Sequence, residues 1–330
     1  MSSNDKVLIN ESNVDEITNL GAQTQALLTL ITSGETPDFD SLSAEQARAI
    51  FHPIFQELSK TNLSPVNIKK LNITSDLNCV ELTPDSKKPK NGWPTLIFLH
   101  GGGWALADFN CYINFAKSVC HYCQAKVFFL EYDSSPEKKF PFALNQAHTF
   151  LQYVNDNSQQ LKIDAECIGL LGDSSGGNMA LALGLLNRDS RTSYPIKVMC
   201  LCYPLLDITI NCTRASRIKF GQGDYITSES ILNWSTNNYL NDSQDANNPL
   251  ASPLLAHSFK ELPPTIIISA GFDPLLDENN ELQQRLEQDN VINELLHFPS
   301  TIHGFLSYSA ALDIAEVGLK EICQRITNRL

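Results

Sequence analysis

Gly172-Asp173-Ser174-Ser175-Gly176-Gly177 follows the apolar run Ile168-Gly169-Leu170-Leu171 and precedes Asn178-Met179-Ala180-Leu181-Ala182-Leu183-Gly184-Leu185-Leu186. The first run is short and strand-like, and the second is rich in helix formers. A serine with glycines two residues to either side, set between a strand and a helix, marks a turn sharp enough to expose its hydroxyl. The register selects Ser174, because Ser175 has Asp173 two residues before it where the turn needs glycine.

A second string, His100-Gly101-Gly102-Gly103-Trp104, follows the apolar run Thr95-Leu96-Ile97-Phe98-Leu99, which reads as a buried parallel strand. When a serine attacks an acyl carbonyl, negative charge grows on the carbonyl oxygen, and amides in a glycine run can be aimed at it. Together the two strings predict an acyl-transfer site. His100 reads as a structural residue that hydrogen-bonds backbone and fixes the turn.

A serine hydroxyl needs a base to accept its proton and a carboxylate to orient that base. Chains carrying this elbow place the acid and then the histidine downstream of the serine. Thr265-Ile266-Ile267-Ile268-Ser269-Ala270 reads as a strand, and Gly271-Phe272-Asp273-Pro274 ends it. Asp273 is thus put at a strand's carboxyl end, where sites in parallel sheets gather. Asp277 is the rival, with a helix-capping role as its other explanation. For the base, His297 falls inside a strand-like run, whereas His303 lies in the loop Pro299-Ser300-Thr301-Ile302-His303-Gly304-Phe305 and is preferred.

These residues resemble the hormone-sensitive-lipase-like branch of the α/β-hydrolase superfamily, which includes many bacterial carboxylesterases. The likeness runs from about Trp93 to Phe305. It rests on His100 to Trp104, on Gly172 to Gly177, on Asp273-Pro274-Leu275-Leu276-Asp277-Glu278 and on His303-Gly304-Phe305. The resemblance implies Ser174, Asp273 and His303 as the triad and the backbone amides of Gly102, Gly103 and Ser175 as oxyanion donors. Two departures stand out. Ser175 replaces the usual alanine, which adds a hydroxyl near the site. Asp133, in Tyr132-Asp133-Ser134-Ser135-Pro136-Glu137, stands where relatives carry a cation, which bears on local packing and cap contacts.

The expected architecture is α/β: a mostly parallel, eight-stranded sheet flanked by helices, with a helical cap. Apolar runs near 66–73, 78–83, 95–99, 126–131, 167–171, 197–202, 265–270 and 291–298 supply the strands. Residues 1–62 read as an N-terminal cap segment, 63–204 and 251–330 as the two parts of the core, and 205–250 as a second cap segment. Within 1–62, Val14, Ile17, Leu20, Leu27, Leu28 and Ile31 sit at helical spacing. Ser43 and Gln46 suit a capping box, and Pro53 is expected to kink or break the second helix. Trp104, Phe220 and Trp234 are candidates for an acyl pocket.

A formal net charge of −13 over 330 residues disfavours nucleic acid and anionic membranes as partners. The nine scattered cysteines look like reduced core residues, and Cys120-His121-Tyr122-Cys123 lacks a second ligand pair, so no metal is expected. Without a signal-like start or a bilayer-length apolar run, a cytoplasmic address is expected. The reading is a cofactor-free carboxylesterase acting on small neutral esters of short to medium chain, with a homodimer left open. A non-catalytic small-molecule receptor and an amide or lactone hydrolase are the alternatives.

Overall fold

In the computed structural model the described residues are 6–8, 19–32, 39–59, 65–209 and 212–330. Nine strands form one sheet: β1 (Lys6–Leu8), β2 (Val66–Thr74), β3 (Leu77–Pro84), β4 (Trp93–Leu99), β5 (Lys126–Glu131), β6 (Ile163–Asp173), β7 (Val198–Cys202), β8 (Thr265–Phe272) and β9 (Asn293–Ile302). Their order is β1-β9-β8-β7-β6-β4-β5-β3-β2. β2 to β9 match the eight expected strands, and β3 is the one strand that runs opposite to the rest, antiparallel to both β2 and β5. The three-residue β1, which carries no signal of its own at that length, adds a ninth strand parallel to β9.

The helices are α1 (Ala22–Thr32), α2 (Ala44–Leu58), α3 (Phe109–Cys123), α4 (Phe142–Asp156), α5 (Ser158–Leu161), α6 (Ser175–Asp189), α7 (Ala215–Phe220), α8 (Glu229–Tyr239), α9 (Leu276–Gln288) and α10 (Asp313–Thr327). Strand residues alternate between two cores, as a sheet covered on both faces requires. In β4, Ile97 and Leu99 pack with Phe150 of α4 and Leu181 of α6. Leu96 and Phe98 face the other way, toward Phe115 of α3 and Leu319 of α10.

Local signals explain the outer helices. Ser43 accepts from the Gln46 amide while the Gln46 side chain accepts from the Ser43 amide, so both halves of the expected capping box are present. Pro53 does not break α2, which runs through it to Leu58. Val14 and Ile17, expected in the first helix, lie outside the described residues, and α1 starts at Ala22.

The topology brings the motif loops together. His100, Ser174, Asp273 and His303 each follow the last residue of a parallel strand: β4, β6, β8 and β9 respectively. Those strands and β7 are contiguous in the sheet, so the four loops open on one edge. Close approach at that edge depends on glycine. A Cβ on Gly176 would lie 2.0 Å from the Leu99 carbonyl oxygen, where nothing flexible can yield. Gly176→Ala is therefore expected to cost about 3 kcal/mol or more, read as a lowered urea midpoint, whereas alanine at Gly223, where a Cβ meets nothing within 4 Å, will show only the milder strain of its positive φ.

Candidate active site

Ser174 sits between β6 and α6 with φ 53° and ψ −121°, a backbone strain that the surrounding contacts hold in place. Its amide donates to the Cys202 carbonyl of β7 at 2.8 Å. The turn closes tightly: a Cβ on Gly172 would meet the Gly176 carbonyl oxygen at 2.2 Å. The Ser174 hydroxyl faces His303 Nε2 at 2.9 Å, and His303 Nδ1 faces Asp273 Oδ2 at 2.8 Å. Three side chains predicted from separate parts of the sequence thus form one hydrogen-bonded chain.

Asp273 is buried, and its other oxygen accepts from the Leu275 amide at 2.8 Å. With an anionic carboxylate on one side, His303 carries its proton on Nδ1 and leaves Nε2 free to accept from Ser174. Burial alone pushes the imidazole pKa down, but the charge and hydrogen bond of Asp273 outweigh it and hold the group above its ordinary 6.5. Tyr203, after β7, packs edge-on against the ring at 4.9 Å and limits its tilt.

Asp277 turns elsewhere. Its carboxylate accepts from the Ser216 amide at the start of α7, and its own amide donates to Ser216 Oγ. It caps α7 rather than the helix in which it lies. Next to it, Glu278 is fully buried and accepts from the Leu206 amide at 2.7 Å and from Arg217 at 3.2 Å. Burial pushes Glu278 up to about 7 against the pull of Arg217. Asn279 donates to the Pro204 carbonyl at 2.8 Å. These contacts lock the turn carrying Asp273 to the segment after β7; their residue types gave no sequence signal.

The amides of Gly102, Gly103 and Ser175 have no acceptor among the described residues, and in each case the carbonyl of the preceding peptide is held. In a trans peptide the N–H points opposite the C=O, so fixing the oxygen aims the amide. The Gly101 oxygen accepts from His100 Nδ1 at 2.8 Å. The Gly102 oxygen accepts from the amides of Ala105 at 3.1 Å and Leu106 at 2.8 Å. The Ser174 oxygen accepts from Asn178 at 3.1 Å and Leu205 at 3.2 Å. Gly102 and Gly103 have φ of 94° and 59°, in the left-handed region that favours glycine.

His100 is buried between Phe129 and Tyr132, with its ring stacked on both. Burial lowers its pKa to about 4, so it is a neutral donor to the turn. Asp173, the variable position of the elbow, is the larger omission of sequence reasoning. It accepts from the Gly101 amide and from Tyr112 OH, both at 2.8 Å, and so ties the Ser174 turn to the glycine loop. Burial raises it to about 6 while these two donors pull it down. Ser175, the departure from the usual alanine, accepts from the Trp104 amide at 3.2 Å and adds a second tie. Asp133 pairs with the Gln146 side-chain amide, which also donates to the Asp76 carbonyl.

A cavity of about 130 Å³ opens over Ser174, His303, Gly102 and Gly103. Its far wall is Phe39, Phe51, Ile54 and Phe55 from the N-terminal region, with Ile226, Ile231 and Leu232 from the stretch after β7. Among the described residues, no lysine, arginine or glutamate lines it. Trp104, Phe220 and Trp234 do not line it either, because packing uses up their rings. Trp104 stacks on Tyr239 at 4.0 Å, and Phe220 packs between Tyr225 and Phe272. Trp234 stands behind Phe39 at 5.7 Å and donates to the Leu42 carbonyl. Among the described residues, His52, Asp108 and Cys111 offer ligand atoms within 4.8 Å of one another. Each is otherwise engaged: His52 bonds the Leu106 carbonyl, Asp108 caps α3, and burial pushes the Cys111 thiol up to about 12.

Comparison with known proteins agrees with this fold. The α/β hydrolase fold family matches residues 96–307. A putative α/β hydrolase of Acanthamoeba polyphaga mimivirus is 28% identical over 268 residues, covering 80% of this chain and 75% of that protein. An arylesterase of Saccharolobus solfataricus is 28% identical over 220 residues, 67% of this chain and 70% of its own. Among solved structures, a thermostable esterase from Pseudomonas putida superposes with a TM-score of 0.87 at 26% identity, covering 96% of this chain and 99% of its own. An ester-hydrolase from the metagenome of Lake Arreo, complexed with a bipyridine phosphonate derivative, gives 0.86 at 26% identity over 94% and 98%. Sequence motifs, sheet order and these likenesses agree: the chain belongs to the α/β-hydrolase family, in its hormone-sensitive-lipase-like branch.

Proposed function

We propose that the chain is a serine carboxylesterase in which Ser174 is the nucleophile, His303 the general base and Asp273 its orienting acid. The reading is carried by the Ser174–His303–Asp273 hydrogen-bonded chain beside three amides with no acceptor. Ser174 Oγ attacks the ester carbonyl as its proton passes to His303 Nε2, and the carboxylate of Asp273 stabilises the imidazolium that forms. The amides of Gly102, Gly103 and Ser175 receive the developing oxyanion. Collapse expels the alcohol with the proton from His303, and water repeats the sequence on the acyl-enzyme. A receptor would have no use for this chain of proton-transfer contacts, which favours catalysis.

Segments 1–62 and 205–250 act in this reading as two cap segments over the core parts 63–204 and 251–330. They supply the apolar wall that excludes water and selects the acyl or alcohol group. A cavity of about 130 Å³ is small beside the roughly 300–1,000 Å³ of pockets for drug-sized ligands, which favours short groups. The described residues of the wall include no lysine or arginine, and this together with a formal net charge of −13 favours neutral esters over anionic ones. Nine free thiols, seven of them buried, suit a reducing cytoplasm.

Ser174→Ala is expected to lower turnover of a short p-nitrophenyl ester on the order of 10⁶-fold and to abolish labelling by a fluorophosphonate; equal rates in mutant and wild type would discard the assignment. The base must be neutral to act, and Asp273 holds His303 above 6.5, so kcat/KM should rise with pH through an inflection above that value and then level. Asp273→Asn removes the anion, which should move that inflection downward and lower kcat about 10⁴-fold. An inflection that stays put in the variant refutes the role given to Asp273.

A further inference from the structure

The oxyanion loop is gripped from outside the core. Arg48 and His52 lie four residues apart on α2, hence on one face of it. Arg48 Nε donates to the Ala105 carbonyl at 2.6 Å, and a terminal nitrogen donates to the Ser135 carbonyl at 2.8 Å. The same guanidinium forms a fork with Glu137 at 2.7 and 2.8 Å. His52 Nε2 faces the Leu106 carbonyl at 2.8 Å and therefore carries the proton there. Ala105 and Leu106 are the two residues whose amides hold the Gly102 oxygen, and that oxygen aims the Gly103 amide. A continuous path of hydrogen bonds thus runs from α2 to an oxyanion donor.

We propose that Arg48 and His52 are positioning residues through which α2 sets the oxyanion loop, so that docking of this helix completes the donor geometry as well as covering the cavity. The inference rests on the esterase reading. The Arg48–Glu137 pair is open on its acidic side, with Glu137 58% exposed to solvent, and such pairs contribute little alone. The two carbonyl bonds are what reach the loop. Ser235 of α8 also stands close against the loop, since a Cβ on Gly103 would meet its Oγ at 2.2 Å. Helix α2 presents Phe51 and Phe55 to the cavity. A substrate that packs against α2 therefore presses on the element that aims the Gly103 amide.

An oxyanion contact strengthens only as charge develops, so misaiming it lowers kcat and leaves KM in place. Arg48→Met and His52→Ala should each lower kcat for a short p-nitrophenyl ester about tenfold, less than the roughly 10²–10³ of losing a donor outright. KM should stay within about twofold, and fluorophosphonate labelling should slow in parallel. His52→Gln, whose amide can donate to the same carbonyl, should recover much of the loss. A helix that merely covers the cavity would raise KM instead, and glutamine would do no better than alanine; that result overturns the proposal, as does an unchanged kcat. If Arg48→Met fails to fold, the alanine and glutamine variants of His52 decide alone. Wild-type protein that neither cleaves the ester nor takes the label sinks the esterase reading and this inference with it. A competent wild type with unaffected variants sinks the inference only.

Discussion

A trans peptide cannot turn its N–H without turning its C=O, and the site depends on that rigidity. Gly102, Gly103 and Ser175 have no side chain contact aiming their amides; each amide is aimed because the oxygen behind it is bonded. His100, the Ala105–Leu106 turn and the start of α6 each hold one such oxygen. An amide that meets charge away from bulk water acts strongly, so its direction matters. The structure accordingly spends rigid groups on it: a neutral, doubly stacked histidine, glycines in left-handed conformations and a helix terminus.

Asp173 joins the two halves of this apparatus. One oxygen holds the Gly101 amide and the other the Tyr112 hydroxyl, so the turn carrying Ser174 is tied to the glycine loop. Burying a carboxylate is expensive unless it is well bonded, and both donors are spent on that requirement. Glu278 has a parallel position on the far side, tying the segment after β7 to α9 behind Asp273 through Leu206 and Arg217. Two buried acids outside the Ser174–His303–Asp273 chain thus brace the two turns on which it stands.

The core and the three side chains that meet in the Ser174–His303–Asp273 hydrogen-bonded chain were largely legible in the sequence, for local reasons. The glycines around Ser174 announce a turn that few other residues can make, and the apolar runs before His100, Ser174 and Asp273 announce buried strands whose ends must lie together in a parallel sheet. Where the information is not local, reading stopped. Asp273 and Asp277 are both carboxylates near a strand end, and only their partners, His303 for one and Ser216 for the other, separate them. Trp104, Phe220 and Trp234 looked suited to a pocket as single residues, but a ring's use is fixed by what packs against it, and Tyr239, Tyr225, Phe272 and Phe39 had already filled their faces.

The chain of residues by itself determined which backbone segments could be strands, where the backbone had to turn sharply and which side chains could carry a proton, because each of these follows from a residue's own shape and chemistry. Tertiary structure alone decided which carbonyls Arg48 and His52 would hold, what would wall the cavity and what Asp173 would bind. Those are properties of pairs brought together across 57, 54 and 61 residues of chain, and no spacing along the backbone encodes the distance between partners that only the folded chain makes neighbours.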